Sequence, residues 1–283
     1  MNIDKEYAEL LRIVLVLGDK LETRNHGCYS DHKGLSVNFG RFPLITARKT
    51  SWKYAITEME WFLSGNSKCP EKIVKWWKGQ LNKYGSYLCG YGAQLKAYTS
   101  ANKERDTNVD YFDQIEHIIE SLKNHPNSRR LITTTWHPEE MSRITEINDN
   151  PNTPTTCHGT VTQYFVRKGK LYLNTYQRSA DMLLGVPHNW VQYWAYLMWL
   201  AHRTGYKVGG ITWMFGDAHI YDDASHTDTA REIIANVLYD DKDFTNHFCD
   251  LVYTPTSKEF KANDFSIIGT IPEPVVLGKP KLF

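Results

Sequence analysis

Residues 154–190 read PTTCHGTVTQYFVRKGKLYLNTYQRSADMLLGVPHNW, and the fold of the whole chain follows from how this stretch is read. Two apolar, aromatic-rich runs, 160–167 and 170–176, flank the pair Lys168–Gly169. That pattern predicts a β-hairpin. A dense polar cluster follows, Gln177, Arg178, Ser179 and Asp181, and after a short apolar run comes Asn189. A packed hairpin has no need of such a cluster. A site that holds a thiolate, an anion and a polar heterocycle together does.

Cys157, just before the hairpin, is a candidate nucleophile. A thiol reacts as the thiolate, so it needs nearby positive charge to lower its pKa. Arg178, one strand away, can supply that charge. Arg178 beside Ser179 also suits a phosphate, because a guanidinium makes paired hydrogen bonds to phosphate oxygens. The amide of Asn189 offers an acceptor and two donors on a short stalk, which matches the adjacent N–H and C=O of uracil. Cys-His taken alone fits a small buried core cysteine better than a nucleophile.

The ordered set changes that balance. CH at 157–158, QYFV at 163–166, YQRSAD at 176–181, GVPHN at 185–189 and GDAHIY at 216–221 together resemble the thymidylate synthase family. Further matches run from Arg24 to the C-terminal region, so the resemblance covers nearly the whole chain. It implies an α/β (α+β) fold, with a large mixed sheet flanked by helices and used as the interface of an obligate homodimer. It also implies one catalytic domain over 1–283, with a small insertion around residues 99–110.

Residue by residue, the resemblance implies that Cys157 adds to carbon 6 of the pyrimidine of dUMP and that Asn189 reads its edge. Glu58, Tyr91, His158 and Asp181 join them as catalytic residues. Gln177, Ser179, His219 and Tyr221 bind the nucleotide. Arg24, Arg129, Arg130 and Arg178 clamp its phosphate, with Arg129 and Arg130 reaching the partner subunit's site. The one-carbon donor is 5,10-methylenetetrahydrofolate, held by Arg48, Val74, Trp77 and Asp181. No metal is expected.

Composition narrows the classes. The 283 residues carry a net charge of +1, so no global field draws nucleic acid or membrane to the chain. The five cysteines, Cys28, Cys69, Cys89, Cys157 and Cys249, include no CxxC pair, which disfavours zinc and dithiol redox readings. A reduced protein in the cytoplasm is the simplest expectation, the host cytoplasm if the chain is phage-encoded. Residues 1–20 are unlike a signal peptide, and no run approaches the roughly 20 apolar residues of a membrane span.

Around the central stretch, helical spacing predicts helices over 4–18, with Asp4 as cap and Gly18 as stop, and over 51–65. On the second, Glu58 sits beside an apolar face, a setting that raises a carboxyl pKa towards general acid–base use. A helix is predicted over 70–80 and another within 110–126, with Phe112, Ile115, Ile118, Ile119 and Leu122 inward. Residues 21–34 read as a polar loop, 34–49 as strand, turn, strand, and 143–154 as loop. A strongly apolar helix is predicted after Asn189.

Two departures from the family pattern bear on the product. Val74 stands where the family's synthases place an aromatic against the folate, and the chain ends GKPKLF. Both loosen folate retention and admit water. The ExEWF around Glu60 and His188 of GVPHN also resemble phage pyrimidine hydroxymethylases. Hydroxymethylation of dUMP is therefore the first expectation, with reductive methylation to dTMP as the alternative. A non-catalytic nucleotide- or RNA-binding regulator is the remote reading, and the intact set Cys157, Glu58, Arg178 and Asn189 stands against it.

Overall fold

Lys168 and Gly169 reverse the chain with positive φ at both positions, 50° and 73°. Two left-handed residues in succession give the turn whose twist matches that of its flanking strands. The computed structural model that contains this turn describes residues 2–23, 26–100, 110–240, 249–276 and 280.

In chain order the helices are α1 (Ile3–Leu17), α2 (Trp52–Ser64), α3 (Val74–Trp77), α4 (Tyr91–Lys96), α5 (Gln114–Asn124), α6 (Pro138–Ser142), α7 (Ile144–Asn148), α8 (Gly185–Thr204) and α9 (Ala224–Ile234). The strands are β1 (Asp19–Glu22), β2 (Gly27–Asp31), β3 (Ser36–Phe39), β4 (Tyr98–Ser100), β5 (Asp110–Phe112), β6 (Ile132–Thr133), β7 (Val161–Arg167), β8 (Lys170–Asp181), β9 (Lys207–Tyr221), β10 (Cys249–Tyr253) and β11 (Phe265–Gly269). Seven strands form one mixed sheet in the order β1-β2-β9-β8-β7-β6, with β3 also on β9. The expected α/β architecture, a large mixed sheet flanked by helices, is what the chain adopts.

β8 and β9 run parallel, with Asp181 opposite His219 and Tyr176 opposite Met214. Parallel neighbours need a crossover, and α8 supplies it. Its apolar run is buried almost throughout; Trp190, Val191, Ala195, Leu197 and Leu200 are inaccessible to solvent. Alternation along β8 turns Leu171, Leu173, Thr175 and Gln177 inward. The same parity carries Ser179 and Asp181 to the inward side, beyond the part of the sheet that α8 fills.

Several local expectations change. Asn2, not Asp4, caps α1, accepting from the Asp4 and Lys5 amides at 3.0 and 3.4 Å. Asp4 is buried instead and accepts from Thr46 N, Thr46 Oγ1 and Ala47 N at 2.7–2.8 Å. Residues 19–22 and 27–31 pair as β1 and β2, because β2 finds the edge of β9. Residues 41–49 add no strand after β3. The helix expected over 70–80 is a single turn, Val74–Trp77. Phe112 sits on β5 and is exposed, since α5 starts only after its cap Asp113. The loop expected over 143–154 contains α7. Most of the insertion expected around 99–110 lies outside the described residues. Among those residues, no helix is long and apolar enough to cross a membrane.

Asp4 ties the start of α1 to the chain before α2, and its loss leaves one buried and two half-buried donors without an acceptor. Asp4→Ala is expected to cost about 3 kcal/mol, read as a lowered denaturant midpoint at unchanged slope.

Candidate active site

The space between the N-terminal turns of α8, the ends of β8 and β9, and α2 is a cavity of about 480 Å³. That is the size of an ordinary small-molecule site. Its lining includes Arg48, Glu58, Trp77, Tyr91, Cys157, His158, Gln177, Ser179, Asp181, Asn189, His219 and Tyr221, all singled out from the sequence.

Cys157 is half-buried. Its sulfur lies 3.2 Å from the Thr155 carbonyl and 3.6 Å from Arg178 Nη2. Burial raises the thiol pKa and Arg178 lowers it, and the net shift is upward. The sequence expectation of a thiol lowered by Arg178 is thus reversed in the free protein. Burial is the larger of the two effects, and the guanidinium is also shared with other partners. Its Nε donates to the Thr156 carbonyl at 2.8 Å, and Nη2 donates to the carbonyl and hydroxyl of Thr155. It also lies over the Trp136 ring at 5.2 Å. Arg178 has the opposite parity to Gln177 and Ser179 on β8, and it turns back to hold the Cys157 segment.

A neighbouring hydroxyl holds the Cys157 backbone. The Tyr91 hydroxyl accepts from Cys157 N at 2.8 Å. Tyr91 is itself clamped between Phe62 and His158, with ring centroids 4.4 and 4.3 Å away and nearly parallel planes. Burial holds the His158 pKa down to about 3, so its imidazole is neutral and packs as an aromatic ring. Gly159 follows with φ of 60°, and a Cβ there would overlap the Tyr193 hydroxyl.

Glu58 is buried in α2. Trp77 Nε1 donates to one carboxylate oxygen and Gln192 Nε2 to the other. Burial raises its pKa to about 7, against the lowering effect of those two donors. The expected raised carboxyl is therefore present, and the surface ion pair that would be its ordinary role is not. Asn189 is held from both sides: Oδ1 accepts from Gln177 at 3.2 Å, and Nδ2 donates to Gln192 at 3.0 Å. Asp181 accepts from the Leu183 and Leu184 amides, both at 2.9 Å.

Other expectations separate. Val74 is 38% exposed and does not line the cavity. The neighbouring Trp76 does, packed edge-on against His188 with centroids 5.1 Å apart. Arg129 and Arg130 are exposed before β6, away from this cavity. Arg24 and most of the C-terminal GKPKLF lie outside the described residues; Pro280 lines the cavity. Gln192, Trp76 and Lys49 were not anticipated. Gln192 follows Asn189 by three residues on a helix, a same-face spacing that marks it in retrospect.

A family model described as thymidylate synthase matches residues 5–278. A thymidylate synthase from Corynebacterium aurimucosum is 30% identical over 282 residues, which cover 97% of this chain and 96% of that protein.

Because the Glu58 pKa rises from 4.5 to about 7 on folding, the unfolded chain releases this proton first. The contribution of Glu58 to stability is therefore full below about pH 4.5 and falls as pH rises to 7, by on the order of 3 kcal/mol. Glu58→Gln should remove that fall. Denaturant midpoints of the two proteins, compared across this window, read the difference. The opposing effect of His158, which develops as pH drops below 6.5, is common to both and cancels.

Proposed function

The chain belongs to the thymidylate synthase family, and on that premise we propose that it transfers a one-carbon unit from 5,10-methylenetetrahydrofolate to carbon 5 of dUMP through a covalent adduct at Cys157. The observation that carries this reading is the meeting of Cys157, Glu58 and Asn189 on one cavity. Three residues far apart in sequence there offer a nucleophile, a carboxyl that titrates near neutrality and a polarised amide.

The roles follow from the contacts. Asn189 accepts from the uracil N–H and donates to the adjacent carbonyl, which carries the negative charge once sulfur has added to carbon 6. Glu58, with its pKa at about 7, exists in both protonation states at neutral pH and can pass protons to and from that carbonyl through water. Tyr91 holds the Cys157 amide so that the sulfur faces the ring. Arg178 and Ser179 suit the phosphate, and His219 and Tyr221 suit the sugar hydroxyl. Arg24 is assigned to the phosphate as well.

The residues present fit the folate. Arg48 is buried, donates to the Leu183 carbonyl, and leaves Nε without a hydrogen-bond partner. An anionic or carbonyl-bearing ligand would satisfy it. Trp76, Trp77 and Asp181 lie on the same cavity. The bound folate supplies the methylene and, in the reductive outcome, a hydride.

One clue that favoured hydration, the missing aromatic at position 74, meets a substitute in this cavity. Trp76 supplies an aromatic wall that Val74 does not. His188 accepts from Ser51 N at 3.2 Å through Nε2, so Nδ1 donates to the Leu184 carbonyl at 2.7 Å. Burial also holds its pKa down to about 4. Both ring nitrogens are thus engaged within the protein. These contacts support reductive methylation to dTMP as the first reading, with 5-hydroxymethyl-dUMP as the alternative product.

The homodimer belongs to the same proposal. Ile132, Val161 and Tyr176 are exposed on one face of β6, β7 and β8, and Arg129 and Arg130 stand at its edge. A second copy packed on this face would cover the apolar residues and bring those arginines towards the partner's phosphate site. A stable, active monomer in sedimentation would refute this arrangement.

Incubation with dUMP and methylenetetrahydrofolate is expected to yield dTMP with one dihydrofolate per turnover. Tetrahydrofolate with 5-hydroxymethyl-dUMP, identified by mass spectrometry, would establish the alternative. Cys157→Ala should abolish both products and the covalent adduct with 5-fluoro-dUMP while dUMP binding persists; the non-catalytic reading predicts no adduct at all. Trp76→Ala should raise the hydroxymethyl share about tenfold, since roughly 1.4 kcal/mol between competing barriers suffices.

A further inference from the structure

Gln192 is inaccessible to solvent in α8 and belongs to none of the motifs read from the sequence. It closes an unbroken line of hydrogen bonds across the cavity wall. Trp213 Nε1 donates to Gln177 Oε1 at 3.1 Å, and Gln177 Nε2 donates to Asn189 Oδ1 at 3.2 Å. Asn189 Nδ2 then donates to Gln192 Oε1 at 3.0 Å, and Gln192 Nε2 donates to Glu58 Oε2. Trp77 donates to the other Glu58 oxygen.

Chemistry at the ends gives this line a direction. An indole nitrogen can only donate, so Trp213 draws the Gln177 oxygen towards itself and turns the NH₂ to Asn189. The same step repeats at Asn189 and again at Gln192, whose NH₂ reaches an acceptor, the Glu58 carboxyl. No amide in the line can flip alone without setting donor against donor. Asn189 is left with one lone pair and one N–H for the cavity, in the arrangement that suits uracil; cytosine reverses both partners. Hydrogen bonds in such a chain also polarise one another.

On the reading that the site performs one-carbon transfer to dUMP, we propose that Gln192 is a positioning residue that couples base choice at Asn189 to the acid–base carboxyl of Glu58. Its oxygen holds the Asn189 amide in the uracil-reading orientation, and its NH₂ favours the ionised form of Glu58. A single side chain thus serves recognition of one edge of the ring and proton transfer beside it. Cys69, Tyr91, Cys157, His158, His188 and Arg48 also surround Glu58 or share its cavity. The pH readout is therefore a difference between variant and wild type.

The test compares kcat/KM for dUMP and dCMP, and its pH dependence, in wild type, Gln192→Met, Gln192→Glu and Trp213→Phe. Gln192→Met removes both contacts: the dUMP preference should fall at least about tenfold, the loss of one paired contact, and the pH limb near neutrality should move upward. Gln192→Glu keeps the acceptor for Asn189 and replaces the amide donor to Glu58 with a second carboxyl, so that the two share a proton and the pair titrates higher. Its base preference should stay within roughly threefold of wild type, less than one such contact is worth, while the limb moves upward. Trp213→Phe frees the head of the line, so base preference should fall. Should Gln192→Met not fold, the other two variants separate the two functions of Gln192. Equal losses on both nucleotides, with unchanged preference and an unmoved limb, would assign Gln192 a packing role and overturn the proposal. If the wild type transfers no carbon to either nucleotide, the functional reading fails. Equilibrium binding of dUMP against dCMP to the same proteins then tests the positioning of Asn189 separately.

Discussion

Parallel pairing of β8 with β9 is the constraint on which the rest of the molecule depends. Two neighbouring strands running the same way cannot be joined by a turn, so the chain must cross the sheet between them. The crossing here is α8, whose residues are buried for most of its length. It starts at Gly185, directly after β8 ends at Asp181, so its first turns stand over the ends of both strands. Asn189 thereby meets Gln177, while Asp181 lies opposite His219 across the strand pair. The cavity is the space left where apolar packing between helix and sheet gives way to these polar ends.

Burial governs the chemistry of that space. Removing a group from water disfavours its charged form, and three neighbours show the same cause with different results. Glu58 is raised to about 7, the Cys157 thiol is raised despite Arg178, and His158 is held down to about 3. The carboxyl is brought to titrate near neutral pH, the imidazole is held neutral and packs as an aromatic ring, and the thiol is held more firmly in its protonated form. Shared hydrogen bonding limits what Arg178 can do for the thiol, because most of its donors serve Thr155 and Thr156.

Much of this was legible in the chain. The Lys168–Gly169 turn, the parity of Gln177, Ser179 and Asp181, and the apolar run of α8 all follow from periods of two and 3.6 residues. Glu58 beside an apolar face was legible for the same reason. What failed did so where a local pattern met a non-local partner. Residues 21–34 look like a polar loop until β2 pairs with β9. The stretch around Val74 looks like a helix, yet its backbone closes tight three-residue turns, Trp76 N to Ile73 O and Gln80 N to Trp77 O. Trp76 rather than Val74 faces the cavity there.

Which chemical groups exist, and on which side of each strand or helix they fall, is written in the order of residues, because alternation and helical pitch are properties of neighbours. The sequence also carried the family resemblance, through the order of its motifs. Only the tertiary structure decided which groups touch. Gln192 and Glu58 are 134 positions apart, and Arg48 and Leu183 are 135. Their contacts, and the pKa shifts that come from being enclosed, depend on how distant segments pack; no local period encodes the distance between a carboxyl on one helix and an amide on another.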